Sequence, residues 1–225
     1  MINLPVTSWF SAGTVANDTS TGSLSWDSDA LGSALVGTEV QNDDGVLAHG
    51  GASSLASTYY LKSTNFGIGT GDIPTGSTIN GVEVEVRQYR AAFNPTVASA
   101  AVFLVKAGTV VGSSFGISGD WATTETVVTY GSSAQLGGES WTRSDILSSN
   151  FGTALSVLYN SARTSNTPNV YVDQVRLRVY YTEPAPVNLT VSVSSMTASG
   201  RTYGVTAGSG GSVATRSGSF FGLLT

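Results

Sequence analysis

The chain has 225 residues and contains no cysteine, a single histidine, two lysines and no long apolar run. Without cysteine there is no disulfide framework, no thiol nucleophile and no thiolate metal site. No stretch reaches the roughly 18 apolar residues of a membrane-crossing helix. The opening Met1-Ile2-Asn3-Leu4-Pro5-Val6 lacks a basic region followed by an apolar run, so no signal peptide is expected. Charged residues make up 11% of the chain, against roughly 25% in ordinary globular proteins. The net charge of −5 and pI near 4.7 leave no basic stripe to displace counterions. Neither nucleic acid nor an anionic membrane is therefore an expected partner.

What the chain does have is Ser, Thr, Asn and 27 glycines, together with a hydrophobic fraction of 40%. That is enough apolar material for a packed core, with solubility supplied by uncharged polar groups. The clearest pattern is strict alternation. Val82, Val84 and Val86 alternate with Glu83, Glu85 and Arg87, and Val175, Leu177 and Val179 alternate with Gln174, Arg176 and Arg178. These two distant segments read as half-buried strands whose acidic and basic outer faces suit cross-strand pairing. Shorter strands are predicted over Leu4–Phe10, Leu31–Val40, Tyr59–Leu61, Val110–Val111, Glu125–Tyr130 and Ala154–Tyr159. Ala101–Val105 is a continuous apolar run and reads as a core strand covered on both faces. Turns are expected at Asn42-Asp43-Asp44-Gly45 and Ile73-Pro74-Thr75-Gly76. One helical turn is expected over Trp141–Leu147, capped by Thr142 with Asp145 three residues on.

Many short strands and Gly/Ser/Thr-rich loops predict an all-β fold: an antiparallel, jelly-roll-like β-sandwich over residues 1–182. Residues 183–186, Glu183-Pro184-Ala185-Pro186, read as an extended proline linker. Residues 187–225 read as an extended C-terminal arm or small β appendage. There Val187, Leu189, Val191 and Val193 alternate with polar residues, and the chain ends in Phe220, Phe221, Leu223 and Leu224. About forty residues cannot bury a core alone. The segment either folds back on its own domain or pairs with a neighbouring subunit; the neighbour is favoured, which makes these eight apolar residues candidate oligomer or capsid contacts.

Candidate chemistry is sparse. His49 lies in Ala48-His49-Gly50-Gly51 and reads as an exposed loop residue without the partners of a triad or metal cluster. Glu83 and Glu85 stand two residues apart on one strand face, about 6.5–7 Å by strand geometry, a spacing that overlaps that of inverting glycosidases. With Arg87 beside them, surface pairing is the better reading. Asp27, Asp29, Asp43 and Asp44 offer oxygen ligands for calcium without any EF-hand spacing. Asp173 falls on the apolar face of its strand, either at the sheet rim or as a buried, hydrogen-bonded acid. Trp9, Trp26, Trp121 and Trp141 serve a sugar-stacking platform or, by the more ordinary reading, core and rim packing. Gly67-Ile68-Gly69-Thr70-Gly71 lacks the strand and helix of a nucleotide fingerprint. No catalytic residue, cofactor or metal site is expected.

Tyr60-Leu61-Lys62-Ser63-Thr64-Asn65-Phe66-Gly67, followed by Ile73-Pro74-Thr75-Gly76-Ser77-Thr78-Ile79-Asn80-Gly81-Val82-Glu83-Val84, resembles a Leu-x-x-x-Asn-Phe-Gly … Ile-Pro-x-Gly-(Ala/Ser)-Thr-Ile-x-Gly-(Ile/Val)-x-Val pattern of jelly-roll domains on tailed-bacteriophage virions. Tyr130-Gly131, Gly138, Trp141-Thr142, Asp145-Ile146, Asn150-Phe151-Gly152 and Val172–Tyr181 fit the same layout, so the resemblance spans roughly residues 40–182. The loop Gly69-Thr70-Gly71-Asp72 and the Gly-rich C-terminus depart from it. The resemblance implies a non-enzymatic virion structural protein, most like a capsid decoration (cement) protein. It would be a homotrimer bound between major capsid protein subunits on the capsid surface, assembled in the host cytoplasm. The alternative expectation is a carbohydrate-binding module of a tail fibre or cell-surface protein, with a surface glycan as partner.

Overall fold

The computed structural model describes residues 4–28, 33–51, 56–91, 97–159 and 169–186. By internal contacts the chain divides into Met1–Pro184 and Ala185–Thr225, and of the second unit only Ala185 and Pro186 are described. Val187, Leu189, Val191, Val193, Phe220, Phe221, Leu223 and Leu224 lie outside the described residues.

The two alternating segments become the longest strands, β6 (Thr78–Arg90) and β12 (Asn169–Thr182), and they pair antiparallel. Their register sets Glu83 opposite Arg178 and Glu85 opposite Arg176, as the charge pattern predicts. Arg178 holds Glu83 at 2.6 Å and Arg176 holds Glu85 at 2.6 Å. A one-residue slip would oppose valine to charge along the whole strand, so the two pairs act mainly on register. Around this centre the first sheet runs β10 (Thr126–Ser132), β6, β12, β4 (Ala48–Gly51), β3 (Trp26–Ser28), and β1 (Phe10–Ser11) adds to β12.

The second sheet runs β2 (Thr14–Asp18), β5 (Tyr60–Thr64), β11 (Gly152–Tyr159), β7 (Val97–Lys106), β8 (Thr109–Val111), and β9 (Ile117–Ser118) pairs with β7. Every pairing between named strands is antiparallel. Successive strands alternate between the sheets: β4 in the first, β5 in the second, β6 in the first, β7 in the second. Early strands pair with late ones, β4 with β12 and β5 with β11. This winding is that of a jelly roll, and the protein is an all-β, two-sheet antiparallel sandwich.

The core fills the space between the sheets. Val82, Val84, Val86, Val175, Leu177 and Val179 face Leu61, Val102, Leu104, Leu155 and Val157, all buried. Removing a side chain such as Leu177 from water is worth about 1.5–3 kcal/mol. The largest buried aromatics have their polar ends met. Trp26 Nε1 donates to the Tyr59 carbonyl at 2.8 Å, Tyr159 Oη to the Gly50 carbonyl at 2.9 Å, and Tyr130 Oη to Gln88 Oε1 at 2.9 Å. Burial pushes the Tyr130 hydroxyl up to about 12. The helical turn α1 (Arg143–Ile146) forms where predicted, with Thr142 and Asp145 making a reciprocal capping box.

Several expectations are corrected. Residues 33–40 form no strand. Ala34 makes one isolated bridge to Asp27, and the buried Glu39 accepts the Val36 and Gly37 amides at 2.5 and 3.0 Å to fix the loop. Leu4–Phe10 runs beside β12 through a single bridge, Val6 to Tyr180, before β1 begins. The run Ala101–Val105 is covered completely on its inner face, where Val102 and Leu104 enter the core, and only in part on its outer face, where Val105 is buried but Ala101 and Phe103 stay partly exposed.

Candidate functional site on the outer face of the second sheet

Period-2 alternation gives each sheet one outward face, and the two faces differ in chemistry. On the first sheet the outward side chains are largely engaged with one another. Besides the Glu–Arg pairs, Arg87 reaches Asp43 at 2.9 Å and Glu125 at 3.1 Å. Trp9 lies under the guanidinium groups of Arg178 and Arg176, 4.6 and 5.2 Å from its ring centre. Glu83 and Glu85 are therefore bound carboxylates on a wall, as the surface-pairing reading has it, and Tyr180 Oη donates to Glu83 as well.

His49 corrects its loop reading. It sits in β4, 3% exposed, its ring stacked on Tyr171 at 4.8 Å, and Tyr171 is stacked in turn on Tyr89 at 4.7 Å. Burial holds its pKa below the ordinary value, although Asn169 and Asp27 act in the opposite direction. The three rings stand side by side across β4, β12 and β6 with their faces against one another; His49 is buried, while Tyr171 and Tyr89 stay partly exposed.

Asp173 is buried, 1% exposed, at the β-bulge between Val172 and Gln174, which resolves its two readings in favour of the buried, hydrogen-bonded acid. Its carboxylate accepts the Gly45 amide at 3.2 Å; burial nonetheless raises its pKa, helped by Glu125 and Asp43. Among the described residues, the acids proposed as calcium ligands do not assemble as one set. Asp27 pairs beside His49, Asp29 lies outside the described residues, and Asp43 joins Glu125 and Asp173 within 4.8 Å of one another. Arg87 already places its positive charge on two members of that cluster. Trp26, Trp121 and Trp141 are buried and Trp9 is partly buried, which matches the core-and-rim reading.

The outer face of the second sheet is built differently. β5 points Tyr60 and Lys62 outward, β7 points Ala101 and Phe103, and β11 between them points Ala154 and Ser156. Ala154 stands opposite both Lys62 and Phe103 in register. Small residues on β11 let the flanking aromatics meet over it: Tyr60 and Phe103 contact edge to face, ring centres 5.5 Å apart. That cover accounts for the burial of Ala154 and Ser156 on an outward face. Beside the rings, Lys62 Nζ donates to Asp18 Oδ2 at 2.7 Å and to the Gly108 carbonyl at 3.3 Å. Asp18 lies directly opposite Tyr60 on β2. The Lys62 hydrogen bond, followed by that of Ser20, pulls the Asp18 carboxyl down to about 2 and keeps it charged.

This face therefore carries a partly exposed aromatic pair, a small-residue floor, and an ammonium–carboxylate pair at its border, with Leu158 42% exposed nearby on β11. It can take an apolar surface against the rings and hydrogen-bond its rim. Sequence reading placed Tyr60, Lys62 and Phe103 on strands without joining them. The available signal was the apolar run Ala101–Val105, where a half-buried strand would alternate. Among the described residues no helix is long and apolar enough to cross a membrane.

No family model matches the chain, and no curated protein matches it. Among solved structures, it is similar to one described as "Structural basis for the promiscuous specificity of the carbohydrate-binding modules from the beta-sandwich super family", at 10% identity and a TM-score of 0.35. The match covers 76% of this chain and 56% of that one, so this chain spans little more than half of that structure's length.

Proposed function

We propose that the protein is a non-catalytic binding module that takes carbohydrate on the outer face of its second sheet. The observation that carries this reading is the Tyr60–Phe103 pair lying over Ala154 and Ser156 beside the Lys62–Asp18 ion pair. A pyranose has apolar C–H faces and a rim of hydroxyls. The rings suit the first, while the ammonium donors and the carboxylate acceptor suit the second. The permanently charged Asp18 is an acceptor at every physiological pH. A glycan array probed with the full chain, followed by calorimetry on the best ligand, tests this. Tyr60→Ala and Phe103→Ala are each expected to abolish binding with folding intact, and Lys62→Met to weaken it. An array without signal, or unchanged affinity in both aromatic variants, overturns the reading.

A second reading, a virion structural protein, is favoured by a different observation. Ala101, Phe103 and Leu158 leave the exposed part of this face beside the Lys62–Asp18 pair apolar, as a surface covered by another protein would be. Together with the tailed-phage resemblance, this supports a cement protein, a homotrimer seated on major capsid protein at the capsid surface. Stripping it from heads would lower the temperature they survive, and unchanged head stability would remove this reading.

A further inference from the structure

The sandwich manages its strand edges unequally. An exposed strand edge presents unpaired N–H and C=O groups and is normally shortened, covered or charged. The outer edge of β2 is covered, since Val15 N donates to the Gly37 carbonyl at 3.1 Å from the loop that Glu39 fixes. β3 has three residues and is bridged by Ala34, and β8 and β9 have three and two residues. β10 is the exception. It is a seven-residue edge strand, Thr126-Val127-Val128-Thr129-Tyr130-Gly131-Ser132, without charge or proline. Its inner edge pairs with β6, and among the described residues no strand pairs with its outer edge.

Beside this edge the sandwich is open. A groove of about 240 Å³ runs between β9 and β10, lined by Ile117, Trp121, Val128 and Tyr130 with Gln88 and Asp120. Ile117 is 48% exposed and Val127 43% exposed. A strand added to β10 would place alternate side chains over this groove and the others toward solvent. Its sequence should thus alternate apolar and polar over about seven residues.

The chain contains such a segment. Val187, Leu189, Val191 and Val193 alternate with Asn188, Thr190, Ser192 and Ser194. It follows Glu183-Pro184-Ala185-Pro186, all four exposed, and the two prolines favour an extended, semi-rigid spacer at about 3.1 Å per residue. A stiff spacer suits a strand that reaches another copy. We propose that residues 187–194 of a second copy add as a strand to the free edge of β10, with the four apolar side chains over the Ile117–Val128 groove. Main-chain hydrogen bonds would give affinity, and the groove would set register. The contact is heterologous, arm to edge, so repeating it closes a ring when the rotation permits, as in the expected homotrimer.

The absence of native cysteine makes disulfide trapping clean. A Thr129→Cys chain is mixed with chains carrying Asn188→Cys, Thr190→Cys or Ser192→Cys in turn, under mild oxidation, with Gly71→Cys as the off-edge control. The expected result is a disulfide-linked species of twice the chain mass, strongest at one arm position. It should fall to the control level when Val191→Asp is added to the arm. Linkage no greater than with Gly71→Cys at all three positions overturns the proposal. So does a Thr129→Cys, Thr190→Cys double variant that closes only within its own chain.

Discussion

Replacing Gly152 by alanine is the sharpest test of how tightly the second sheet is built. Gly152 opens β11 between two partners, opposite Thr64 of β5 and Val105 of β7. A Cβ added there would lie 1.9 Å from the Ser63 carbonyl oxygen and 2.9 Å from Thr64 Cα. Even a close C–H···O contact keeps its heavy atoms about 3.3 Å apart, so the overlap exceeds 1 Å and its obstacle is backbone. Relief requires β5 and β11 to separate, which opens the ladder that positions Tyr60 and Lys62. Overpacking usually costs about 1–3 kcal/mol, and a backbone obstacle places this site near the upper end. Reduced freedom of the unfolded chain returns only about 0.4–1 kcal/mol. The net loss is then roughly 2–3 kcal/mol. At about 2–4 °C per kcal/mol for a domain of this size, Tm should fall by roughly 4–12 °C. Gly71 has no atom within 4 Å of its added Cβ, so Gly71→Ala serves as the control. Thermal unfolding followed by circular dichroism measures both. A Gly152→Ala midpoint equal to that of Gly71→Ala would refute the close approach.

Glu83 and Arg178, with side chains 16% and 31% exposed, should show a coupling of about 0.5–1 kcal/mol in a double-mutant cycle of Glu83→Gln and Arg178→Met measured by urea unfolding; additive losses would show that the pair contributes no coupling. Asp18 has a folded pKa of about 2, below its ordinary 3.8, so its stabilisation is present above about pH 4 and is lost as pH falls toward 2. Because the pair is partly exposed, the amount is about 0–1 kcal/mol. Asp18→Asn should flatten stability between those pH values, and an unchanged slope would contradict the assigned ion pair.

The fold was legible wherever one face of a strand is buried and the other wet. Val82 to Arg87 and Gln174 to Val179 alternate without exception, so the pairing of the two strands and the match of their acidic and basic faces could be read directly. The capping box at Thr142 and the turn at Gly76 were legible for local reasons, a side-chain oxygen meeting an orphan amide and a backbone φ of 84° that favours glycine. What was hidden depends on contacts distant in sequence. The Asp173 bulge shifts alternation by one residue, and its burial is made tolerable by the backbone amides of Gly45, 128 positions away, and of Asp44. His49 looks like loop because two glycines follow it, yet its neighbour across the sheet is Tyr171. The Tyr60–Phe103 pair required knowing that β11 lies between β5 and β7 with Ala154 and Ser156 outward, information that no window around either aromatic contains.

The contrast between the two outer faces limits what the sandwich can do. On the first sheet, Glu83, Glu85 and Arg87 already have partners within the chain, so a ligand of these charged groups must displace an ion pair. On the second sheet, Phe103 and Tyr60 remain partly exposed with one ion pair beside them, and a ligand displaces mainly water from apolar surface. At about 25 cal/mol per Å² of apolar area buried, that difference favours the second face for any partner, sugar or protein. The β10 edge adds a separate capacity, because strand addition uses backbone groups that neither face consumes. The two proposals, copies joined through an edge and a ligand held on a face, therefore separate experimentally: Tyr60→Ala should abolish face binding and leave disulfide trapping at Thr129 unchanged.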